Sequence, residues 1–568
     1  MKQSNKSKDL VSLSLKLAIV VAISYLGSFV FTRFDLTTEK RHSLTDYSIS
    51  VMDSLKDVVL VRVYLEGEFP ADVKRLRDAT KEKLDELRAY SNSNLQYEFI
   101  NPSNNENTAK REAIWKKLID SGLQYTNISI SSKDGLKEQI IFPGAILAYK
   151  GKEMPLQILR SQERVPSAEM LNKSINNLEY ELVNAIKQIT QEKKSSIALI
   201  HGHGELAPLN IEDLSKALDP FYDVFRTSIS GILGVLDNFD AIIIAKPETP
   251  FSDKDKYVID QFIMAGGKVL WMLDAMTASM DSLRLSKSQQ SLAVGNDLNL
   301  DDMLFDYGIK LNKDLLLDAS CSQIPITTGY YGDKPQMKLY PWYFFPVIVP
   351  LSGHPIVTNI DPIHFKFVSS IDTIYSANVR KTILLTSSSY TRILRSPVRI
   401  NLGMVTMDPN FTNKSKPNQP VAVLLEGEFK SFFKNRITTK ISDNPTFKFR
   451  EKSTKTRMLF VSDGDVASNS VSADSSLYYP LGYDKYAKRK IYGNKEFLVN
   501  AMNYLLGDAQ LIGVRSREIK LRKLDPEKIV VDKLFWQILN TITPILLIIL
   551  FGITQILIRK KKYTQSHD

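Results

Sequence analysis

Residues 241–245 read AIIIA, residues 252–265 read SDKDKYVIDQFIMA, and residues 268–273 read KVLWML. Two short apolar runs flank a helix-length segment. Ser252 is placed to cap that helix and Gly266-Gly267 to stop it. Strand, helix and strand joined by short connections predict a right-handed parallel unit. Upstream, residues 196–200 (SIALI) form another buried-type strand running into His201-Gly202-His203-Gly204-Glu205. Downstream, residues 457–462 (RMLFVS) lead into Asp463-Gly464-Asp465, and a helix follows from Lys495 to Leu506. We read these late elements as completing the sheet begun at Ser196. The expectation is one parallel-sheet α/β domain built from 194–285 and 455–515, with 286–454 folding as an insertion.

The region before it also alternates. Residues 58–64 (VVLVRVY) form a β-branched run, and a helical pattern from Pro70 carries Val73, Leu76, Leu84 and Leu87 on one face. Residues 95–100 (LQYEFI) alternate as a strand, Ala109 to Ser121 reads as a helix stopped by Gly122, and the runs 139–142 and 145–149 suggest a hairpin over Pro143-Gly144. This order predicts a thioredoxin-like layer over residues 33–165. The CxxC redox pair of that fold is missing, because Cys321 is the single cysteine of the chain. Leu171, Ile175, Leu178, Leu182, Ile186 and Ile189 then give one apolar face to a helix bridging the two domains, residues 166–193.

The two ends decide the topology. Leu10 to Thr32 is interrupted only by Lys16, and Leu534 to Ile558 carries no charge and stops at Arg559-Lys560-Lys561-Lys562. Each is long enough for a ~30 Å hydrocarbon layer. A cleaved signal peptide is the alternative for the first stretch, but Phe29-Val30-Phe31-Thr32-Arg33 offers no small-x-small cleavage site. Spans at 10–32 and 534–558 leave short tails, 1–9 and 559–568, on the cytoplasmic side. A juxtamembrane segment, 516–533, precedes the second span, and residues 33–533 lie outside as a large extracytoplasmic region. Of the net charge of +11 over 568 residues, +3 falls in residues 1–16 and +3 in 559–568. The remainder is nearly neutral, which argues against nucleic acid and for headgroup anchoring by the tails.

His201, His203 and Glu205 are the one cluster of metal-ligand residue types, and they sit where a parallel strand ends. Asp463 and Asp465 end a second strand and could converge on them. The structural alternative is a tight turn, with glycines permitting it and histidines bonding backbone. With no third His and no Cys-rich set, neither a metal nor a cofactor is expected. Cys321 reads as an inert thiol. No Gly-x4-Gly-Lys-Ser/Thr loop, Gly-x-Ser-x-Gly elbow or Gly-x-Gly-x-x-Gly turn occurs, so ATP chemistry must come from another polypeptide. Trp342 and Tyr343, within the aromatic-proline run 340–346 (YPWYFFP), are candidates to contact a partner or sugar-like ligand, with packing inside the insertion as the alternative. Gln537, Asn540, Thr541 and Gln555 are amides and hydroxyls in the last span, suited to contacting another helix.

Four segments together resemble the GldG family of gliding-motility-associated ABC-transporter auxiliary proteins. They are residues 33–45 (RFDLTTEKRHSLT), the turn 201–205, residues 493–500 (GNKEFLVN) with 504–508 (YLLGD), and 519–522 (IKLR). The resemblance implies an inner-membrane complex with a multi-span ABC permease and a cytoplasmic ATPase, serving gliding and linked secretion. It also implies a periplasmic domain resembling class I glutamine amidotransferases, although the 268–274 stretch lacks the nucleophilic Cys of that enzyme fold. The resulting expectation is a non-enzymatic membrane-anchored auxiliary subunit whose periplasmic module recognises a partner or cargo. A periplasmic hydrolase or sugar-binding protein using the His201–Glu205 turn is the alternative.

Overall fold

A computed structural model describes residues 43–507 with breaks at 105–106, 133–134, 160–166, 192, 287, 359, 407–408, 410, 412–415, 437–448 and 473–476, together with 11, 13–22, 514 and 526–564. The fold is mixed α/β. Residues 1–517 form one compact unit and 518–568 a second.

In the first unit, helix α1 (Asp46–Asp53) precedes β1 (Val59–Val63), α2 (Ala71–Ala89), β2 (Leu95–Phe99), α3 (Thr108–Asp120), β3 (Thr126–Ser132), β4 (Gly135–Ile141), β5 (Gly144–Tyr149), β6 (Lys152–Gln157) and α4 (Ser167–Thr190). Val59, Val61 and Val63 alternate inward while Arg62 faces out toward Glu98 and Glu153. The sheet order is β2-β1-β5-β6, with β2 parallel to β1 and β5 antiparallel to it. Val73, Leu76, Leu84 and Leu87 of α2 pack on this sheet, as their spacing predicts. Helix α4, expected as a bridge between domains, is instead part of this core. Leu178, Leu182, Val183 and Ile186 are at most 2% exposed within it, each contributing about 1.5–3 kcal/mol by burial.

The hairpin expected over Pro143-Gly144 does not form. β4 pairs with β3, and β5 turns back into β6 through Lys150 and Gly151, both at positive φ. The Lys152–Gln157 strand contains Pro155, and on the sheet edge the missing N–H is tolerated. Gly144 is required where it stands, since a Cβ there would lie 2.8 Å from the Leu156 carbonyl oxygen.

The larger sheet begins with β7 (Ser195–His201), α5 (Pro208–Leu218), β8 (Tyr222–Ser228), β9 (Ala241–Ala245), α6 (Asp253–Met264) and β10 (Lys268–Met272). It is completed from far along the chain. β11 (Cys321–Tyr331), β12 (Lys334–Ile348) and β13 (Ile363–His364) form a separate three-stranded sheet, whereas β14 (Val379–Thr386), β15 (Pro420–Gly427) and β16 (Thr456–Val461) return to the large one. Its order is β14-β15-β16-β10-β9-β7-β8. The five strands from β8 to β16 are parallel, β15 pairs antiparallel with β16, and β14 pairs antiparallel with β15 and so runs with the five. The region 286–454, expected as an insertion, therefore contributes two strands to the main sheet. Ser252 caps α6 by accepting from the Asp255 N–H. One sheet face is covered by α5 and α7 (Asn494–Leu505), the other by α6 and the helix Asp301–Tyr307, giving three layers.

The aromatic-proline run lies in β12 between β11 and β13. Pairing jumps from Gln323↔Pro341 to Cys321↔Pro346, so the bulge spares residues 342–345 from pairing with β11. Trp342 and Phe344 are each 1% exposed inside a local core.

The second unit contains α8 (Pro526–Thr564). Its Asp532–Lys561 segment is long and apolar enough to cross a membrane. At the other end of the chain, Leu13–Ala22 is a shorter apolar helix. The rest of the expected 10–32 span lies mostly outside the described residues, as do 33–42, 508 and 519–522 of the segments that resemble GldG.

Candidate functional site

Three parallel strands, β9, β10 and β16, deliver Lys246, Asp274, Asp463 and Asp465 to one sheet edge, the edge where doubly wound sheets bind ligands. Lys246 Nζ lies 2.6 Å from Asp465 Oδ2 and 3.8 Å from Asp274 Oδ2. Lys366 Nζ lies 3.6 Å from the other Asp465 oxygen. Backbone donors occupy the remaining acids. Gly464 N–H donates to Asp274 Oδ1 at 2.6 Å, and the Lys366 and Asp465 N–H groups donate to Asp463 at 2.6 and 2.7 Å.

The backbone is specialised here. Lys246 sits at φ +56°, and a Cβ added to Gly464 would fall 2.4 Å from Lys246 Cβ. Only glycine allows the ends of β9 and β16 to approach this closely.

Burial, then repulsion from Asp465, pushes Asp274 up to about 6. Burial, with Asp465 and Asp274 beside it, pushes Asp463 well above the carboxylate range. Burial opposes ionisation of Asp465 too, but Lys366 and Lys246 outweigh it and hold that carboxyl low. Lys246 loses solvation and is nonetheless held charged by Asp465 and Asp274. The cluster is thus a lysine clamp on the Asp465 carboxylate, with Asp274 a second acid that ionises only above about pH 6.

In front of it opens a cleft of about 330 Å³ lined by Lys246, Lys366, His364, Ser322, Tyr483 and Tyr492, among others. Ser322 Oγ and His364 Nε2 are 2.9 Å apart, and the His364 ring stacks on Tyr492 at 4.8 Å. Burial and the Lys366 charge push His364 down to about 3, so its imidazole is neutral. Tyr492 donates to Asp484 at 3.2 Å.

The predicted His201–Glu205 turn is a different construction. His203 Nδ1 and Nε2 reach Glu205 at 3.2 Å and Asp255 at 3.3 Å, and the ring lies 3.8 Å over Phe251. Burial disfavours the imidazolium, yet both carboxylates raise its pKa and are themselves lowered by it. The His203 carbonyl accepts from Glu248 and Thr249 at 2.8 and 2.9 Å, tying the turn to the loop after β9. His201 ends β7 outside this ion-pair group, and the bonds of Asp463 and Asp465 do not extend to it. The turn is therefore occupied with holding itself.

Trp342 is buried and Tyr343 packs edge-on against Phe411 at 5.4 Å, so the packing alternative describes both. Cys321 is half-buried, and burial with Asp318 nearby raises its thiol to about 11, leaving little thiolate. Among the described residues no group of three His, Cys, Asp or Glu side chains is arranged to hold a metal. In α8, Thr541 donates to the Gln537 carbonyl at 2.6 Å within its own helix. Gln537 and Gln555 are eighteen residues apart, about five turns, and share a face with Asn540 and Thr541.

Lys246 and Asp274 were within reach of the sequence, since each follows a strand recognised from its apolar run. His364, Ser322, Lys366 and Tyr492 carry no local signal; tertiary folding alone assembles them.

A three-layer α/β body with a strand-end cleft, in a chain that also carries a helix long enough to cross a membrane, defines a class of candidate membrane-associated α/β proteins. The chain belongs to the family described as ABC-type uncharacterized transport system, which matches residues 194–501 and comprises auxiliary proteins of ABC transporters. Residues 38–148 match a domain of unknown function, DUF7088. The chain is 21% identical over 463 residues to an uncharacterized protein of Borreliella burgdorferi, covering 76% of this chain and 80% of that one. Among solved structures it is similar to the mmIFT52 N-terminal domain, at 14% identity and TM-score 0.30, over 55% of this chain and 98% of that one. It is also similar to a ThuA-like protein from Parabacteroides merdae, at 10% identity and TM-score 0.28, over 56% and 91%.

Proposed function

We propose that this protein is a non-enzymatic, membrane-anchored auxiliary subunit that works beside a multi-span ABC permease and a cytoplasmic ATPase, with its α/β body outside the cytoplasmic membrane recognising a cargo or partner. The observation that carries the reading is one chain combining the family match over 194–501 with the Asp532–Lys561 apolar helix. The missing phosphate loop supports placing ATP hydrolysis on another polypeptide. The polar face of Gln537, Asn540, Thr541 and Gln555 supports helix packing on the permease, since amides facing lipid are unfavourable. The strand order β2-β1-β5-β6 supports a thioredoxin-like layer for residues 33–165, and the parallel strands β7 to β10 with β16 support an amidotransferase-like domain without its nucleophile. The segments resembling GldG support a role in gliding motility and the linked secretion machinery. Nucleotide-driven motion of the permease would bias the outside body between two arrangements.

A truncation ending before Pro526 tests this. Because the 10–32 stretch stays in that chain, the expected result is loss of the permease from the complex, with release of the body from the membrane only when residues 1–32 are removed as well. A truncated chain that still co-purifies with the permease would remove the role of α8 in holding the complex. Protease added to spheroplasts is expected to digest the body; a protected body would reverse the orientation.

A further inference from the structure

We infer that the cleft at the ends of β9, β10 and β16 takes an uncharged, hydroxyl-rich ring such as a glycan unit, an assignment that rests on the body being the recognition module. The argument begins with charge. Four basic and three acidic side chains line the cleft, and the inner ones are already paired. Lys246 is held at 2.6 Å by Asp465, Lys366 leans on the same carboxylate at 3.6 Å, and Asp484 accepts from Tyr492 and from the Tyr486 and Ala487 N–H groups. At the inner wall a phosphate or carboxylate would have to displace Asp465 from its lysines, and an ammonium would have to compete with Lys246 for Asp465, while the outer lining adds charges of both signs, Arg284, Lys485 and Asp281. Both exchanges trade a formed, partly buried ion pair for another. A neutral ligand requires neither.

What remains available is hydrogen bonding and flat apolar surface. Ser279, Ser322, Gln323, Ser468 and Ser470 supply hydroxyls and an amide. His364 is held neutral at physiological pH and shares its Nε2 with Ser322, so it adds an exchangeable donor–acceptor pair without charge. Aromatic planes are fixed in advance: Tyr483 stacks on Tyr479 at 4.8 Å and 15°, and Tyr492 on His364 at 4.8 Å and 22°. Tyr486, 45% exposed, adds a third ring to the lining. Rings held by their neighbours lose little rotamer freedom when a ligand covers them. The volume of about 330 Å³ is at the small end of ligand pockets and suits one or two sugar rings.

The test uses the full chain in detergent, with cellotetraose, maltotetraose and chitotetraose as neutral probes, and tetragalacturonate and inorganic phosphate as charged ones. Binding is read by saturation-transfer NMR and by protein fluorescence. At least one neutral probe is expected to bind, and the exposed ring makes Tyr486→Ala a fold-safe variant that should weaken it about three- to tenfold. Gln323→Ala, at an exposed position of the lining, is expected to weaken the same probe without changing the thermal midpoint. Failure of all three neutral probes, equal or tighter binding of a charged probe, or neutral binding indifferent to both substitutions would each overturn the assignment. Association with the permease and ATPase is measured separately. Loss of that association with sugar binding intact would sink the auxiliary-subunit reading and leave this one standing.

Discussion

Replacing Asp274 by Asn should change how stability depends on pH. Its carboxyl is raised from 3.8 to about 6, because burial and Asp465 disfavour its charge in the folded state. A group with a raised carboxyl pKa binds its proton more tightly when folded. Its destabilising effect is absent below the unfolded pKa near 4, develops between pH 4 and 6, and is complete above 6. Two pKa units correspond to about 3 kcal/mol. Asn is neutral throughout and keeps an oxygen for the Gly464 N–H, so the variant should lack this effect. The stability of Asp274→Asn minus that of the native chain should therefore rise by up to about 3 kcal/mol from pH 4 to 6.5. Urea unfolding at closely spaced pH values measures this, with the buried Trp271 of β10 as the fluorescent reporter. A difference that stays constant with pH would refute the reasoning, because it would mean that Asp274 ionises as easily folded as unfolded.

Other consequences follow from single contacts. Gly464→Ala places a Cβ against Lys246 atoms that cannot withdraw, and should lower stability by about 1–3 kcal/mol in thermal unfolding. Lys246→Met leaves Asp465 and Asp274 without their shared cation, and should cost about 3–5 kcal/mol, seen as a lowered urea midpoint at pH 7. His203→Gln should lose the two carboxylate contacts and weaken the body chiefly below pH 6.5. The raised histidine pKa supplies stability that is present below its unfolded value and lost as pH rises through the folded one. Ligand binding in the cleft should be unaffected by that change, which titration calorimetry would check. Asn540→Leu together with Gln555→Leu should leave membrane insertion intact while reducing recovery of permease, as quantified by mass spectrometry.

The parts of the fold legible in the sequence are those whose residues face apolar surroundings on both sides. AIIIA, KVLWML and RMLFVS are continuous apolar runs because β9, β10 and β16 are covered by helices on both faces. The α2 and α4 faces were legible for the corresponding helical reason. What escaped has equally physical causes. Residues 421–425 (VAVLL) form as good a buried run as AIIIA, but they lie within 286–454, the stretch expected to fold as an insertion. Pro155 and the prolines of β12 broke the local pattern while edge placement and a bulge removed their cost. In the candidate site, the end of β16 was recognised, and the partners of its aspartates were not. Lys246 and Asp274 carry no motif, and Lys366, His364 and Ser322 meet them only through tertiary structure. The His201–Glu205 turn shows the converse, since metal-type residues in close sequence were recruited to brace a loop through Asp255 and Phe251.

Purification of the chain from its native membrane in mild detergent, followed by identification and quantification of every recovered polypeptide, tests the central claim most directly. The account predicts a multi-span permease and an ATPase at fixed ratio to this chain, with ATP hydrolysis by the complex and none by this chain alone. Recovery of the chain by itself, or ATP hydrolysis by the isolated polypeptide, would contradict it.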